Sequence, residues 1–266
     1  MNEYEKRMLA ILKEGKANNY IDAVKAEFEA EGTRVDELLR LLEIARRADV
    51  KVGLKIGGCE AIRDLMECRQ FGVDYVIAPM VETPYALGKF VAARDKVFTA
   101  AERQDIGFLF NVETISTFGH LDEMAEIASR ENLGLVFGRV DFAGSLGKGR
   151  DFVDTDEMLT YVERASTLAK QKNVDLVVGG SVSRGSIGLL GRLRKTRLDR
   201  FETRKVIFDA SVVETDRVEA GLDLAIEFEL LWLKNKRDYY AAIGAEDESR
   251  IAMMEARQKS KAPALT

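Results

Sequence analysis

Two carboxylates, Glu113 and Asp141, close the apolar runs IGFLFNVE and LGLVFGRVD. The chain has a single histidine, His120, so a poly-histidine metal site within one subunit is excluded. Acid–base or metal chemistry then falls mainly to carboxylates, lysines and bound water. Two carboxylates without imidazole suit a hard divalent cation. Mg²⁺ uses one or two carboxylates, keeps several waters and leaves positions for substrate oxygens, and Mn²⁺ also fits. The glycines that follow in DFAGSLGKG let substrate oxygens approach backbone N–H groups. His120, in STFGHLDEM, reads as a first-turn surface residue, with Ser116 or Thr117 as the cap and Leu121, Met124 and Ile127 as the buried stripe.

Other apolar runs also end in polar residues. Asn111 shares strand parity with Leu109 and Glu113, and Arg139 shares it with Leu135, Phe137 and Asp141. Lys55 precedes Gly57-Gly58, and VDYVIAPMVET ends in Glu82 and Thr83. In DAVKAEFEA, Lys25, Glu27 and Glu29 stand on one parity, opposite Ala26, Phe28 and Ala30. VDLVVGGSVSRGS ends in Ser181, Ser183 and Arg184. An unpaired carboxylate is costly to bury, so these groups should pair with one another, with Lys or Arg, or with a metal. A basic segment follows: Arg192, Arg194, Lys195, Arg197, Arg200, Arg204 and Lys205, against Asp199 and Glu202. It is a solvated face or a clamp for an anionic group such as a phosphate, a sugar acid or CoA. Arg184 and Arg204 lead as candidates because they adjoin predicted strand ends.

The elements that must position these residues alternate. Strand candidates recur roughly every 25–35 residues, the length of a βα unit. Runs such as DYVIAPMV and LGLVFG are apolar on both parities, as parallel strands covered on both faces should be. The helix TRVDELLRLLEIARRA is predicted with Thr33 as cap and Val35, Leu38, Leu39, Leu42 and Ala45 inward. With no dinucleotide or phosphate-loop motif to favour an open sheet, the expectation is a (β/α)8 TIM barrel. At 266 residues the length suits one. Seven strands are clear. The eighth is either a short segment near the N-terminus or part of LLGRLRKTRLDRF, so the first strand is expected to be irregular or missing. The expected division is a catalytic barrel over 1–212 and a C-terminal helical extension over 213–266, read as two helices and as an oligomer contact. In such a barrel, the C-terminal strand ends converge on one mouth, where active sites lie.

The net charge of −5 argues against nucleic-acid binding. No window reaches the roughly 20 apolar residues of a membrane helix. The charged start MNEYEKRMLAILKEGK lacks the apolar core of a secretory signal. Cys59 and Cys68, on one predicted helix, read as free thiols, and the expected location is cytoplasmic.

Three blocks carry a likeness to a known family: VDYVIAPMVETPYAL, FNVETISTFGHLDEMAEIA and LVFGRVDFAGSLG. In order and separation they resemble the HpcH/HpaI aldolase / citrate lyase family of the phosphoenolpyruvate/pyruvate barrel superfamily. The resemblance implies that Glu113 and Asp141 bind Mg²⁺ or a similar cation. It further implies that the substrate is a 2-oxoacid, beside which a carbon–carbon bond is made or broken. Lys25, Glu82, Asn111, Arg139, Ser181, Ser183, Arg184 and Arg204 are then candidates for holding a small anionic substrate. The chain departs from the family at two places. Lys55 stands where the family has an arginine, which exchanges a bidentate fork for a point charge. KAEFEAEGT has no histidine base, which leaves Glu29, Glu27, Lys55 or a metal-bound water. Two other enzyme readings remain: a citrate-lyase-like enzyme of acyl-CoA thioesters, and a Schiff-base aldolase using a Lys55 depressed by desolvation. A non-catalytic binding protein on a barrel scaffold is the fourth reading.

Overall fold

In the computed structural model, which describes residues 1–261, eight strands close into one barrel in sequence order. They are β1 (Ile21–Glu27), β2 (Lys51–Lys55), β3 (Tyr75–Ala78), β4 (Gly107–Val112), β5 (Leu133–Gly138), β6 (Leu176–Gly179), β7 (Arg200–Glu202) and β8 (Val206–Asp209). The helices are α1 (Glu3–Asn18), α2 (Val35–Arg47), α3 (Ile62–Phe71), α4 (Pro84–Val97), α5 (Glu102–Asp105), α6 (Ile115–Gly119), α7 (Leu121–Glu131), α8 (Arg139–Ser145), α9 (Asp156–Lys172), α10 (Ile187–Arg194) and α11 (Val218–Lys261). Short 3-10 turns lie at Arg150–Asp154, Arg184–Ser186 and Ala210–Glu214. No described helix is long and apolar enough to cross a membrane.

The barrel is TIM-like with one reversed strand. β1 to β7 pair in parallel, but β8 runs antiparallel to both β7 and β1. The expected irregularity therefore lies at the seam. β1 is a full seven-residue strand with a register shift between Ile21 and Ala23. The run LLGRLRKTRLDRF supplies the start of β7, and RKVIFDAS supplies the reversed β8. Only three residues, Thr203, Arg204 and Lys205, separate these two strands, too few for the crossover that a parallel partner needs. A tight hairpin therefore replaces a βα loop at the mouth, with the Thr203 N–H donating to the Val206 carbonyl at 2.9 Å.

Two apolar cores follow from strand alternation. Ala23, Tyr75, Ile77, Leu109, Val136, Val177 and Ile207 fill the lumen. The opposite strand faces pack against the helices in one large cluster. α2 is capped at Arg34 with Glu37 reaching back, one residue later than expected, and Leu38, Leu41, Leu42, Ile44 and Ala45 face inward. Val35 and Leu39 are exposed instead. His120 is exposed at the α6–α7 junction, and the side-chain cap lies one short helix earlier, at Thr114 before α6. Cys59 precedes α3, Cys68 lies within it, and both are free.

The C-terminal segment is one 44-residue helix, α11, where two were expected. It runs along α1, with Arg7 paired to Glu227 at 2.7 and 2.8 Å and Asn2 bonded to Asn235 at 2.6 Å. Phe228 and Trp232 are buried, while Ile226 is 65% exposed. This course carries Ala225, Ile226 and Glu229 to the edge of the barrel mouth.

Candidate active site

A cavity of about 450 Å³ opens at the C-terminal ends of the parallel strands. Its walls include Lys25, Glu27, Glu29, Lys55, Asn111, Glu113, Asp141, Ser181, Glu202 and Arg204. Strand parity accounts for β4. Leu109 points into the lumen, so Asn111 and Glu113, two and four residues on, meet the cavity above it. Glu113 is 1% exposed. Its Oε1 accepts the Met80 N–H at 2.8 Å, and its Oε2 accepts Asn111 Nδ2 at 2.6 Å. Met80 has φ of 49°, a left-handed conformation uncommon for a side-chain-bearing residue, in the turn that delivers its N–H to Glu113. Gly138, beside Glu113, leaves the room it needs: a Cβ there would lie 3.1 Å from Glu113 Oε2.

Asp141 does not continue a strand. β5 ends at Gly138, and Arg139 opens α8, so Arg139 and Asp141 are helical neighbours two apart that face different ways. Asp141 is exposed and lines the cavity. Arg139 is 0% exposed and lies outside the cavity wall. Its guanidinium donates to Asp154 Oδ1 at 2.9 Å, to the carbonyls of Gly180, Gly179 and Val153 at 2.8, 3.2 and 3.2 Å, and to Ser186 Oγ at 3.2 Å. The expectation that it shares a face with Asp141 is thus corrected.

The charges on β1, β2 and β7 form buried pairs. Lys25 Nζ lies 2.5 Å from Glu202 Oε1 and 3.2 Å from Glu27 Oε1. Burial alone would lower the Lys25 ammonium, but the two carboxylates hold it above its ordinary value. Burial likewise works to raise Glu27, yet Lys25 and Lys55 bring it below the usual carboxylate value. Lys55 Nζ is 2.9 Å from Glu29 Oε2 and 3.7 Å from Glu113 Oε2. Desolvation pulls Lys55 down, but Glu113, Glu29 and Glu27 outweigh it and leave the ammonium above its ordinary value. Burial pushes Glu113 above its ordinary value, and Asp141 adds to this against Lys55, the Met80 N–H and Asn111.

Several candidates lie elsewhere. Glu82 is exposed outside the cavity wall, beside Thr83, which caps α4. Ser183 caps the turn Arg184–Ser186. Arg184 pairs with Asp223 at 2.6 Å and Glu219 at 3.4 Å on the outer surface. The basic segment is dispersed. Arg192 pairs with Glu163, Arg194 with Glu214, Arg197 with Asp199 and Asp175, and Arg200 with Asp175 near the lower ring of Tyr75. Only Arg204 of that run lines the cavity, held by Glu31 at 3.1 Å. Sequence reasoning missed Glu202, Arg150 and the α11 edge at Glu229. Arg150 is exposed on the cavity wall and makes no ion pair among the described residues. The available signal for Glu202 was a lone acid before a turn in a basic run, RFETRK.

The donor set discriminates between metals. Among the described residues no cluster of three His, Cys, Asp or Glu could hold an ion. That does not suit zinc, which wants three or four protein ligands. Mg²⁺ or Mn²⁺ asks for only one or two carboxylates with water completing the shell, and Glu113 and Asp141 are two carboxylates that line this cavity.

A search of curated protein sequences returned no significant match. Solved structures do match. The HpcH/HpaI aldolase from Desulfitobacterium hafniense DCB-2 aligns with a TM-score of 0.62 at 13% identity, over 76% of this chain and 83% of that one. An HpcH/HpaI aldolase/citrate lyase family protein from Burkholderia cenocepacia J2315 aligns with a TM-score of 0.62 at 14% identity, over 92% and 90%. The citrate synthase SbnG aligns with a TM-score of 0.61 at 16% identity, over 88% and 90%. At these identities the structures establish the fold alone. A sequence model of the HpcH/HpaI aldolase/citrate lyase family matches residues 21–185, more than half of the chain, and the chain belongs to that family.

Proposed function

We propose that the chain is a divalent-metal-dependent carbon–carbon lyase or aldolase acting on a 2-oxoacid. The observation that carries this reading is the pair Glu113 and Asp141 on one cavity wall, with Glu113 fixed by the Met80 N–H and Asn111. When bound there, Mg²⁺ or Mn²⁺ would supply positive charge to the oxoacid oxygen as negative charge develops. Lys55 stays protonated and adds a second positive charge beside Glu113. In this reading Glu29, paired with Lys55, takes and returns the substrate proton. Glu27 is the weaker base, because Lys25 and Lys55 favour its ionised form. Arg150, exposed on the wall, is free to meet a substrate carboxylate. Treatment with EDTA is expected to abolish cleavage of a 4-hydroxy-2-oxoacid, and Mg²⁺ or Mn²⁺ to restore it. Full activity in EDTA would sink the reading.

A Schiff base at Lys55 needs a neutral amine, and the three carboxylates around it work against that. Borohydride reduction in the presence of pyruvate is therefore expected to leave the chain's mass unchanged. A pyruvyl adduct on Lys55 would reverse the assignment. The dispersal of the basic segment leaves the CoA reading without a clamp at the mouth.

The same reading takes residues 1–212 as the catalytic barrel and 213–266 as an extension through which copies of the chain associate. Exposed Ile226, Leu230 and Leu233 recur on one face of α11, at the spacing of a helix contact. Light scattering is expected to give a mass above that of one chain, and a monomer mass would remove this part.

A further inference from the structure

The loop between β1 and α2 carries Glu29, and an ion-pair cluster ties that loop to the reversed seam of the barrel. Residues 28–34 form no strand or helix, and Gly32 takes a left-handed φ of +55°. The Phe28 N–H donates to the Lys55 carbonyl at 2.8 Å, and the Thr33 N–H donates to the Glu27 carbonyl at 3.0 Å. Between these anchors, Glu29 and Ala30 line the cavity, whereas Glu31 lies outside its wall. The Glu31 carboxylate reaches the β7–β8 hairpin instead. Its Oε1 accepts Arg204 Nε at 3.1 Å, and its Oε2 accepts Lys205 Nζ. Lys205 Nζ also lies 3.5 Å from the Lys25 carbonyl and 5.5 Å from the centre of the Trp232 ring. Burial draws this ammonium below its ordinary value, and Glu31 works against that.

These contacts exist because β8 is reversed. After β7 a parallel barrel would continue into a helix. Here the hairpin stays beside the end of β1, where the Lys25 N–H donates to the Lys205 carbonyl at 2.8 Å. A buried ammonium is stable only with a paired carboxylate, so Lys205 fixes Glu31. Glu29 then stands between two fixed points, Phe28 before it and Glu31 two residues after it.

We propose that Glu31 is a positioning residue: clamped by Arg204 and Lys205, it locks the β1–α2 loop to the hairpin and so holds Glu29 at Lys55 on the cavity wall. The role given to Glu29 rests on the lyase reading above, and the test separates the two. In cleavage of a 4-hydroxy-2-oxoacid the C3–C4 bond breaks. Glu29 takes the 4-hydroxyl proton as C4 becomes the aldehyde carbonyl, and returns a proton to C3, which becomes the methyl of pyruvate.

Glu31→Gln removes the charge that the clamp grips and keeps the side chain's length. Two measurements are made on this variant and on the natural chain: amide hydrogen exchange by mass spectrometry, and steady-state cleavage of 4-hydroxy-2-oxopentanoate with Mg²⁺. Exchange over residues 28–33 is expected to be about tenfold faster in the variant, the scale of one hydrogen bond to a charged group, with β4 unchanged. kcat is expected to fall about 10–100-fold, the effect of misplacing a catalytic group by about 1 Å, while KM stays within about twofold. In a Glu29→Gln background the same substitution should cost less than about twofold more, because it acts through a group already removed. Unchanged exchange overturns the clamp. Faster exchange with kcat unchanged overturns the positioning role, as do losses that multiply in the double variant. Should Glu31→Gln fail to fold, Glu31→Gln with Lys205→Met removes both partners of the buried pair and carries the same expectations. A natural chain that cleaves no 4-hydroxy-2-oxopentanoate overturns the lyase reading and the role of Glu29 with it, while exchange still decides whether the clamp holds the loop.

Discussion

Asp141→Asn is expected to lower kcat/KM for cleavage by about 100-fold or more and to leave the thermal midpoint unchanged. Even the hydrogen-bonding partners of metal ligands are worth about 10–100-fold when removed. Loss of one of the two charged ligands proposed above should reach the top of that range. The side chain is exposed in the first turn of α8 and has no hydrogen bond or ion pair among the described residues. Exposed substitutions of this kind stay within about 0.5 kcal/mol of the parent. Asparagine keeps the shape and one neutral oxygen, so the variant removes charge and little else. The expected signature is a raised requirement for Mg²⁺: titration with Mn²⁺, followed by its paramagnetic signal, should show much weaker binding. An Asp141→Asn chain with parental activity and metal affinity would take the metal away from this wall altogether.

How far the sequence led depended on which period was in force. Along β1, β4 and the lumen, alternation held, so Lys25, Glu27, Asn111 and Glu113 were placed on the cavity wall by parity alone. The parity argument failed at Gly138. The chain turns directly from strand to helix there, and alternation has no meaning beyond it, so Asp141 reached the cavity and Arg139 did not. Local composition gave no warning, because RVDFAGS is as compatible with a strand end as with a short helix. The reversed β8 was hidden for a different reason. An apolar run reveals a strand, and its direction depends on the length of the connection before it. That connection became readable only once the three-residue β7 was placed. The same short strand concealed Glu202, whose partner Lys25 is far away in sequence and comes within reach only when the barrel closes. Pairing also reversed the sign that the Schiff-base reading needed for Lys55. Desolvation by Leu54 and Ile56 argued for a depressed amine, but three carboxylates drawn from β1 and β4 outweigh it.

Arg139→Met is expected to show the opposite pattern from Asp141→Asn: a large loss of stability, with activity reduced through the shape of the wall. Burial lowers the guanidinium from its ordinary value and Asp154 works against this, yet the group remains the charged hub of five contacts. Methionine fills much of the volume and supplies no donor. It would leave the carbonyls of Gly179, Gly180 and Val153 without their partner, whereas Asp154, 37% exposed, can turn to water. Removing one partner of a buried ion pair costs about 3–5 kcal/mol, and the exposure of Asp154 places this case near the lower end. For a chain of this size that corresponds to a fall of roughly 6–12 °C in the thermal midpoint. Lysine is not expected to rescue it, since a point charge cannot serve a planar fan of acceptors. The effect reaches the cavity because two of the carbonyls Arg139 grips, those of Gly179 and Gly180, belong to its wall. Gly180 has φ of +85°, and a Cβ there would stand 2.7 Å from the backbone N of Val140, so this turn is pressed directly against α8. Loosening it should raise KM more than it lowers kcat, in urea-free buffer well below the melting point. Were Arg139 instead a direct substrate contact, as its strand parity with Asp141 suggested, Arg139→Met would melt with the parent and lose catalysis. Urea denaturation alongside steady-state kinetics distinguishes the two.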